Sequence, residues 1–237
     1  MKKNIGKIIK LIIVNAITSI RIIGAFTLPI IYYKYGVSEA AVFIIILFLS
    51  DSIDGLLART LHVSTFFGSI LDASSDKLLN AVSLIILGLE YNIMFGPLVI
   101  EIAILYTVYS TYRYGGNIQS TIIGKIKTII LDFLVIFSYI LLSLPTLNLH
   151  YHLIFRLIGL TDFLIHIFGF IILISCLIAL IDYMGKNKAA RLNPKAIDNK
   201  LKTKRKKTFK KVITDLFDTD YYKEHRNESA IEQFYIK

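Results

Sequence analysis

Residues 51–76 have the sequence DSIDGLLARTLHVSTFFGSILDASSD, which places four aspartates beside long apolar runs. Asp51 and Asp54 are three residues apart, and Asp72 and Asp76 are four apart, so each pair shares one face of a helix. Carboxylates near a membrane interior are costly, and they usually pair, bind ions or face a water-filled cavity. Four of them on two facing helices repel one another unless cations or a buried arginine neutralise them. The segment therefore predicts a site for one or two divalent metal ions.

The whole chain has the composition of a membrane protein. Of its 237 residues, 55% are hydrophobic, and the mean hydropathy is +0.62. Because a helix needs about 20 apolar residues to cross a bilayer, several apolar runs are long enough to span it. We therefore expect an all-α, polytopic membrane protein: a bundle of six transmembrane helices with a polar cleft that faces the cytoplasm. The predicted spans cover residues 11–33, 39–59, 66–90, 95–114, 124–146 and 160–184.

Basic residues are unevenly distributed along the chain, whose formal net charge is +10. Lysine and arginine are concentrated in the N-terminal segment, the connections 59–66 and 113–127, and the tail. The opposite connections carry only Lys34 and Arg156. Since basic residues stay on the cytoplasmic side, both termini are predicted to be cytoplasmic in a multi-pass protein of the cell (plasma) membrane. The abundance of isoleucine and lysine is typical of bacteria with AT-rich genomes, so a bacterial source is expected.

These patterns divide the chain into a basic N-terminal interfacial segment, a membrane domain and a basic, partly disordered cytoplasmic tail, at residues 1–10, 11–184 and 185–237. The first apolar run contains Asn15, Thr18 and Arg21 and is followed by no small-residue cleavage site, so we expect a retained helix and not a signal peptide. The basic block 200–211 suits either anionic lipid, at ~1 kcal/mol per basic residue, or a role in setting topology alone. Without a base-reading motif, no nucleic-acid partner is expected.

The residues between the two acidic pairs follow a fixed spacing. They fit D-x2-D-G-x2-A-R-x8-G-x3-D-x3-D, with Gly55, Ala58, Arg59 and Gly68 at the intermediate positions. The small residues leave the helix face open to a flat ligand, and the arginine can bind a phosphate. This pattern resembles the signature of the CDP-alcohol phosphatidyltransferase family, and the resemblance extends over residues 11–184.

The resemblance implies an integral-membrane enzyme of phospholipid synthesis. Such an enzyme transfers a phosphatidyl group from CDP-diacylglycerol to an alcohol and releases CMP. The resemblance also implies Mg²⁺ or Mn²⁺, as two ions, and a homodimer. The implied metal ligands are Asp51, Asp54, Asp72 and Asp76, and Asp76 is also the implied catalytic base. The implied CDP-lipid contacts are Asn15, Thr18, Gly55, Ala58, Arg59 and Gly68.

Three further segments resemble the phosphatidylglycerophosphate synthase branch. They are N-x2-T-x2-R at residues 15–21, Lys77 directly after the last aspartate, and G-K-I-K-T at residues 124–128. Lysines at the cytoplasmic start of a span suit a phosphate on the acceptor, although they also suit simple interfacial anchoring. The branch implies glycerol 3-phosphate as acceptor and phosphatidylglycerophosphate as product. The expected acceptor-binding residues are Arg21, Lys77, Arg113, Lys125 and Lys127. Arg21 lies about midway along the first span, so we expect it to line the site as a partner of the acceptor or of the carboxylates.

The fourth predicted span departs from that branch. Glu101 is present, but Ile100 stands where the branch carries an arginine, and Arg113 comes later than expected. An inositol phosphate, phosphatidylglycerol or another polyol therefore stays open as acceptor. Two other classes also stay open: a divalent-cation transporter, whose acidic residues would line an ion path, and an inactive scaffold member of the family. A transporter, however, would not require the glycines, alanine and arginine in this register.

Overall fold

The computed structural model describes residues 2–61, 63–114, 120–147, 152–192 and 208–225. These residues form α-helices and short 3₁₀ turns, with no strand among them, so the all-α prediction is confirmed for this part of the chain. The helices are α1 (Lys2–Lys34), α2 (Val37–Thr60), α3 (Phe66–Glu90), α4 (Phe95–Arg113), α5 (Ile122–Ser143), α6 (His152–Leu192), α7 (Phe209–Phe217) and α8 (Thr219–His225). The 3₁₀ turns are Asn92–Met94, before α4, and Leu144–Leu147, after α5.

Among the described residues, five helical segments are long and apolar enough to cross a membrane, by length and composition. They are Ile9–Lys34, Val37–Thr60, Asn92–Arg113, Ile122–Thr146 and Gly159–Leu192. Their surfaces carry many exposed apolar side chains, among them Ile20, Phe26, Ile46, Ile102 and Phe170. Such a surface suits contact with lipid. The chain is therefore a multi-pass membrane protein.

The third predicted span, residues 66–90, forms a helix, but it does not meet the same criterion of length and apolar composition. Helix α3 covers 66–90 as expected, yet Asp72, Asp76 and Lys77 interrupt its apolar sequence. The count of six membrane-crossing helices is therefore not confirmed. Asp72, Asp76 and Lys77 predict the site, and they also make α3 less apolar than the five segments that meet the criterion.

The ends of two helices differ from the predicted span boundaries. Helix α1 begins at Lys2, so the basic N-terminal segment continues directly into the first span, and α6 extends to Leu192. Within the tail, α7 and α8 cover Phe209–Phe217 and Thr219–His225, and partial disorder of the tail stays a prediction. In α7 apolar residues recur at helical spacing, which favours a short amphipathic helix. Residues 200–207 of the predicted basic block 200–211 lie outside the described residues.

The helices pack into one bundle around an apolar core. Helix α1 contacts α2 and α3, α2 contacts α5, and α6 contacts both α4 and α5. The core includes the almost fully buried Leu28, Ile44, Leu79 and Ile172, from four different helices. Gly36 has φ +115°, a conformation that glycine adopts without strain, and it lets the chain turn from α1 into α2. Helix α1 packs against both α2 and α3, the two helices that carry the motif.

Candidate active site

The acidic motif occupies two helices joined by a short, hydrogen-bonded turn. Asp51 and Asp54 lie near the C-terminal end of α2, and Asp72 and Asp76 lie in the first half of α3. Thr65 caps α3 by accepting a hydrogen bond from the backbone N–H at position 68, at 3.1 Å. Because the turn reverses the chain, the last turns of α2 face the first turns of α3.

A buried arginine from α1 lies among the aspartates. The Arg21 side chain is 0% exposed, and its Nη1 lies 2.7 Å from Asp51 Oδ1, while its Nη2 lies 2.7 Å from Asp54 Oδ2. The same guanidinium is 3.5 Å from Asp72 Oδ1 and also contacts Asp76. A buried charge is tolerated only when it is paired and hydrogen-bonded. Arg21 is thus a carboxylate partner in this structure, and a direct contact with the acceptor stays a prediction.

Three of the aspartates lie close enough together to share a cation. One carboxylate oxygen from each of Asp51, Asp72 and Asp76 lies within 4.8 Å of the others. Their side chains are 42%, 45% and 43% exposed, so the group is open to solvent. Carboxylate oxygens are hard ligands of the kind that Mg²⁺ and Mn²⁺ prefer. The donor set therefore fits a divalent cation.

The fourth predicted ligand has a different environment. Asp54 is 3% exposed, and it is not part of the group that shares these short oxygen–oxygen distances. Its Oδ2 accepts hydrogen bonds from Thr18 Oγ1 at 2.7 Å and from Arg21 Nη2 at 2.7 Å. These bonds tie the end of α2 to the middle of α1. The role of Asp54 as a metal ligand stays a prediction.

A cavity of about 240 Å³ lies beside the aspartates. Its lining includes Asp54 and Asp72, together with Val63, Ser64, Thr65, Gly68 and Ser69 from the turn between α2 and α3 and the start of α3. The predicted CDP-lipid contacts all line this cavity: Asn15, Thr18, Gly55, Ala58, Arg59 and Gly68. The structure thus brings these residues together from three helices, although they are far apart in the sequence.

Two glycines that line this cavity have different surroundings. A Cβ added at Gly55 would meet nothing closer than Arg59 Nη2, at 4.0 Å, so the position faces open space. A Cβ at Gly68 would lie 3.2 Å from Asn15 Oδ1 and 3.3 Å from Thr65 Oγ1, so this position is tight. Gly55 therefore keeps space for a ligand. Gly68 lets α3 approach α1 closely.

The residues predicted to bind the acceptor occupy different environments. Lys127 is buried in α5 and forms an ion pair with Glu101 of α4. Lys77 of α3 is close enough to interact electrostatically with both Glu101 and Lys127. Arg113 and Lys125 are exposed near the ends of α4 and α5 that border the 114–121 connection. Arg21 lies among the aspartates as described, so the five residues do not share one environment.

One polar pair near the site was not predicted from the sequence. Asn80 Nδ2 of α3 donates a hydrogen bond to Asp132 Oδ1 of α5, at 2.8 Å. Asp132 lies within electrostatic range of Asp51 and Asp76. Two signals were present: Asp132 is a carboxylate inside an apolar span, and Asn80 follows Asp76 by one helical turn.

The tail also contributes to the cavity. Tyr222 of α8 belongs to the lining, beside residues from α1, α2 and α3. The sequence of this part of the tail predicts no function, because its aromatic residues lie in a charged segment and follow no recognisable spacing.

A comparison with protein families agrees with this site. The family model described as CDP-alcohol phosphatidyltransferase matches residues 11–177. The chain belongs to the CDP-alcohol phosphatidyltransferase family. The match includes all of the acidic motif and leaves the tail helices α7 and α8 outside. No curated protein matches the sequence significantly.

Membership of this family makes the protein a membrane enzyme of phospholipid synthesis, a transferase for substituted phosphate groups. CDP-alcohol phosphatidyltransferases use a CDP-alcohol as donor and an alcohol as acceptor, and they generally depend on divalent metal ions. The cluster of Asp51, Asp72 and Asp76 offers the ligands that such an ion requires.

Proposed function

We propose that the protein transfers the phosphatidyl group of CDP-diacylglycerol to glycerol 3-phosphate at the cytoplasmic face of a bacterial cell membrane, forming phosphatidylglycerophosphate and CMP. One observation carries this proposal. The predicted donor contacts line a single cavity beside an aspartate cluster that fits a divalent cation, in a chain of this family.

The proposed metal ligands are the four aspartates of the motif, with two Mg²⁺ or Mn²⁺ ions. When bound, these ions neutralise charge on the diphosphate of the donor and on the departing CMP. Arg59 lines the donor cavity and suits a phosphate oxygen of the donor. Thr18 and Arg21 hold Asp54 in place through the two hydrogen bonds to its Oδ2. The small side chains at positions 55 and 58 leave room for the nucleotide.

The proposed reaction is a displacement at the phosphorus of the phosphatidyl group. The acceptor hydroxyl oxygen forms a bond to this phosphorus, and the bond from phosphorus to the CMP oxygen breaks. Asp76 takes the hydroxyl proton as general base. Its side chain is 43% exposed, so an acceptor can reach it, and Arg21 holds the carboxylate in the cluster.

The proposed acceptor is supported by basic residues. Lys77, Arg113, Lys125 and Lys127 lie on α3, α4 and α5, and a phosphate on the acceptor would suit such groups. A specific observation favours a second candidate, a polyol without a phosphate. Glu101 already offsets the charge of Lys127. The side chains of Asn80 on α3 and Asp132 on α5, which are hydrogen-bonded to each other, suit hydroxyl groups.

We further propose that α3 is the sixth membrane-crossing helix. Its 25 residues correspond to a length of about 38 Å, which exceeds the ~30 Å hydrocarbon core of a bilayer. It lies alongside α1, which is itself long and apolar enough to cross. The polar cleft then opens to the cytoplasm, both termini lie on that side, and the basic tail lies near anionic lipid. A homodimer is part of the same proposal.

The test is CMP release by the purified full-length protein. CDP-diacylglycerol and Mg²⁺ are supplied with glycerol 3-phosphate, inositol phosphate, phosphatidylglycerol or an unphosphorylated polyol. We expect release with glycerol 3-phosphate, loss of release with a chelator, and a loss of roughly a thousandfold in Asp76→Asn. Asp162→Asn is the matched control: this aspartate lies on α6 and accepts a hydrogen bond from Tyr91, so turnover is expected to persist.

Each other outcome has a definite meaning. Release with a different acceptor retains the chemistry and replaces the acceptor. Binding of CDP-lipid without release from any acceptor contradicts enzymatic activity and favours an inactive scaffold. Cation flux across vesicles without lipid turnover would favour the transporter.

A further inference from the structure

We infer, on the basis of the function proposed above, that Tyr222 of the tail is part of the donor site and stacks its ring on the cytosine base. The family match ends at residue 177, so it assigns no role to α7 or α8. The tail would then complete a site that the membrane helices leave open on one side.

Aromatic contacts seat the tail helices on the start of α3. The ring of Phe217 in α7 stacks on Phe67, with centroids 4.6 Å apart and an interplanar angle of 30°. The ring of Tyr222 in α8 meets Phe66 edge-on at 4.9 Å, and Tyr221 meets the same ring at 5.9 Å. Aromatic pairs in these geometries are favourable. One contact from α7 and two from α8, on two adjacent residues of α3, therefore give both tail helices a defined position.

Tyr222 is the single aromatic residue among the described residues that line the donor cavity. The lining otherwise consists of aliphatic, small, hydroxyl, amide and charged side chains. A base is flat and has a π-face, so an aromatic ring is its natural stacking partner. The phosphates of the donor suit the aspartates and Arg59, and the base is separated from them by the ribose. Tyr222 is the ring that the base can reach.

The polar character of the same cavity favours a nucleotide over an acyl chain. Asn15, Thr18, Ser64 and Ser69 all contribute to its wall. An acyl chain there would place polar side chains such as those of Asn15 and Ser69 against hydrocarbon, which is costly. The exposed apolar faces of the membrane helices suit the acyl chains instead.

The first test uses a fluorescence probe, because the native chain contains no tryptophan. Tyr222→Trp in the full-length protein in detergent places one fluorophore at the cavity. CMP with Mg²⁺ is expected to quench and shift its emission. Ribose 5-phosphate, which lacks the base, is expected to leave the emission unchanged.

Tyr221 offers a matched control for this probe. Its ring also contacts Phe66, but it does not belong to the cavity lining, and it stacks on His225 with centroids 4.0 Å apart. Tyr221→Trp is therefore expected to show no response to CMP. An equal response from both probes would mean that CMP alters the tail as a whole, and it would overturn the proposed base contact.

The second test is kinetic. Tyr222→Leu is expected to raise the KM for CDP-diacylglycerol about tenfold, with kcat changed less than about twofold, because a lost stacking contact weakens donor binding. Tyr222→Phe retains the ring and is expected to behave like the native enzyme. Tyr221→Leu is expected to leave KM unchanged. A purely structural role for the tail predicts equal effects of the two leucine variants.

The outcomes separate this inference from the proposed function. If the native protein releases CMP while the Tyr222→Trp emission ignores CMP, the base contact is wrong and the function stands. If CMP quenches the probe while no acceptor supports turnover, the base contact stands and the function is wrong.

Discussion

Arg21 is a single cation whose partners all come from other helices. It lies on α1, is fully buried and contacts four carboxylates of α2 and α3. Removing one partner of a fully buried ion pair costs ~3–5 kcal/mol, because the other charges stay behind. Three of the aspartates are about two-fifths exposed, so solvent reduces that cost here.

Arg21→Met is therefore expected to lower the Tm of the detergent-solubilised protein by several degrees. Millimolar Mg²⁺ should raise the Tm of this variant more than that of the native protein, because a cation then offsets the unpaired carboxylates. Thermal unfolding with and without Mg²⁺ measures both effects. Arg113→Met, at an exposed arginine, is the control and should change Tm little. Equal Tm values for the two variants would contradict the role assigned to Arg21.

Gly55 allows a test of the cavity that leaves the fold intact. A methyl group there meets nothing within 4.0 Å other than Arg59 Nη2, so it would project into the space proposed for the donor. Gly55→Ala is expected to raise the KM for CDP-diacylglycerol severalfold. Stability should stay equal or rise, since alanine favours a helix by ~0.5–1 kcal/mol over glycine.

Gly185→Ala is the matched control for this change. Gly185 is also helical, and a Cβ added there meets nothing within 4 Å, but it does not line the cavity. This variant should share the gain in helix stability without any change in KM. An unchanged KM in Gly55→Ala would mean that the donor does not occupy this space.

At the level of elements, helices α3 and α5 begin in the same way. Thr65 Oγ1 accepts a hydrogen bond from the Gly68 N–H at 3.1 Å, and Thr121 Oγ1 accepts one from the Gly124 N–H at 2.8 Å. Each threonine satisfies a backbone donor that the helix itself leaves free. Of these two threonines, only Thr65 lines the cavity beside the aspartates.

Thr65→Ala and Thr121→Ala are each expected to lower the free energy of unfolding by about 1 kcal/mol. Only Thr65→Ala should also raise the KM for CDP-diacylglycerol, because it loosens the turn that joins α2 to α3. Unfolding in mixed detergent micelles and steady-state kinetics measure the two quantities. Thr65→Ser keeps the cap and should restore both. A matching rise in KM for Thr121→Ala would show that the effect reflects general destabilisation.

At the scale of the whole molecule, the number of membrane crossings depends on α3. With α3 in the bilayer, Thr60 before it and Glu90 at its end lie on opposite sides of the membrane. If α3 does not cross, the two positions lie on the same side. Cysteine labelling can distinguish these arrangements, because the chain has one cysteine, Cys176, and it is buried.

Single cysteines are introduced by Thr60→Cys, Glu90→Cys and Tyr35→Cys in a Cys176→Ala background. All three positions are exposed. A membrane-impermeant maleimide is expected to label Thr60→Cys from the cytoplasmic side, and the other two variants from the opposite side. Labelling of Glu90→Cys and Thr60→Cys from the same side would remove α3 from the membrane-crossing helices.

The helical class, the apolar helices and the family can all be predicted from the order of residues along the chain. Each of these follows from local order: hydrophobic length assigns helices to the bilayer, and the spacing of the aspartates puts each pair on one helix face. The donor residues could also be predicted, because the family motif includes most of them. They line one cavity in the structure, and their contact with the donor stays a prediction.

Which distant residues meet depends on how the helices fold together. Nothing in local spacing shows that Arg21 contacts four aspartates, that Lys127 pairs with Glu101, or that Asn80 bonds to Asp132. The contact of Tyr222 with the donor cavity joins the tail to a site more than a hundred residues earlier in the chain. Such contacts depend on how whole helices pack, and packing is set by shape and burial across the bundle. The periodicity of one helix does not show which residues of another helix it contacts.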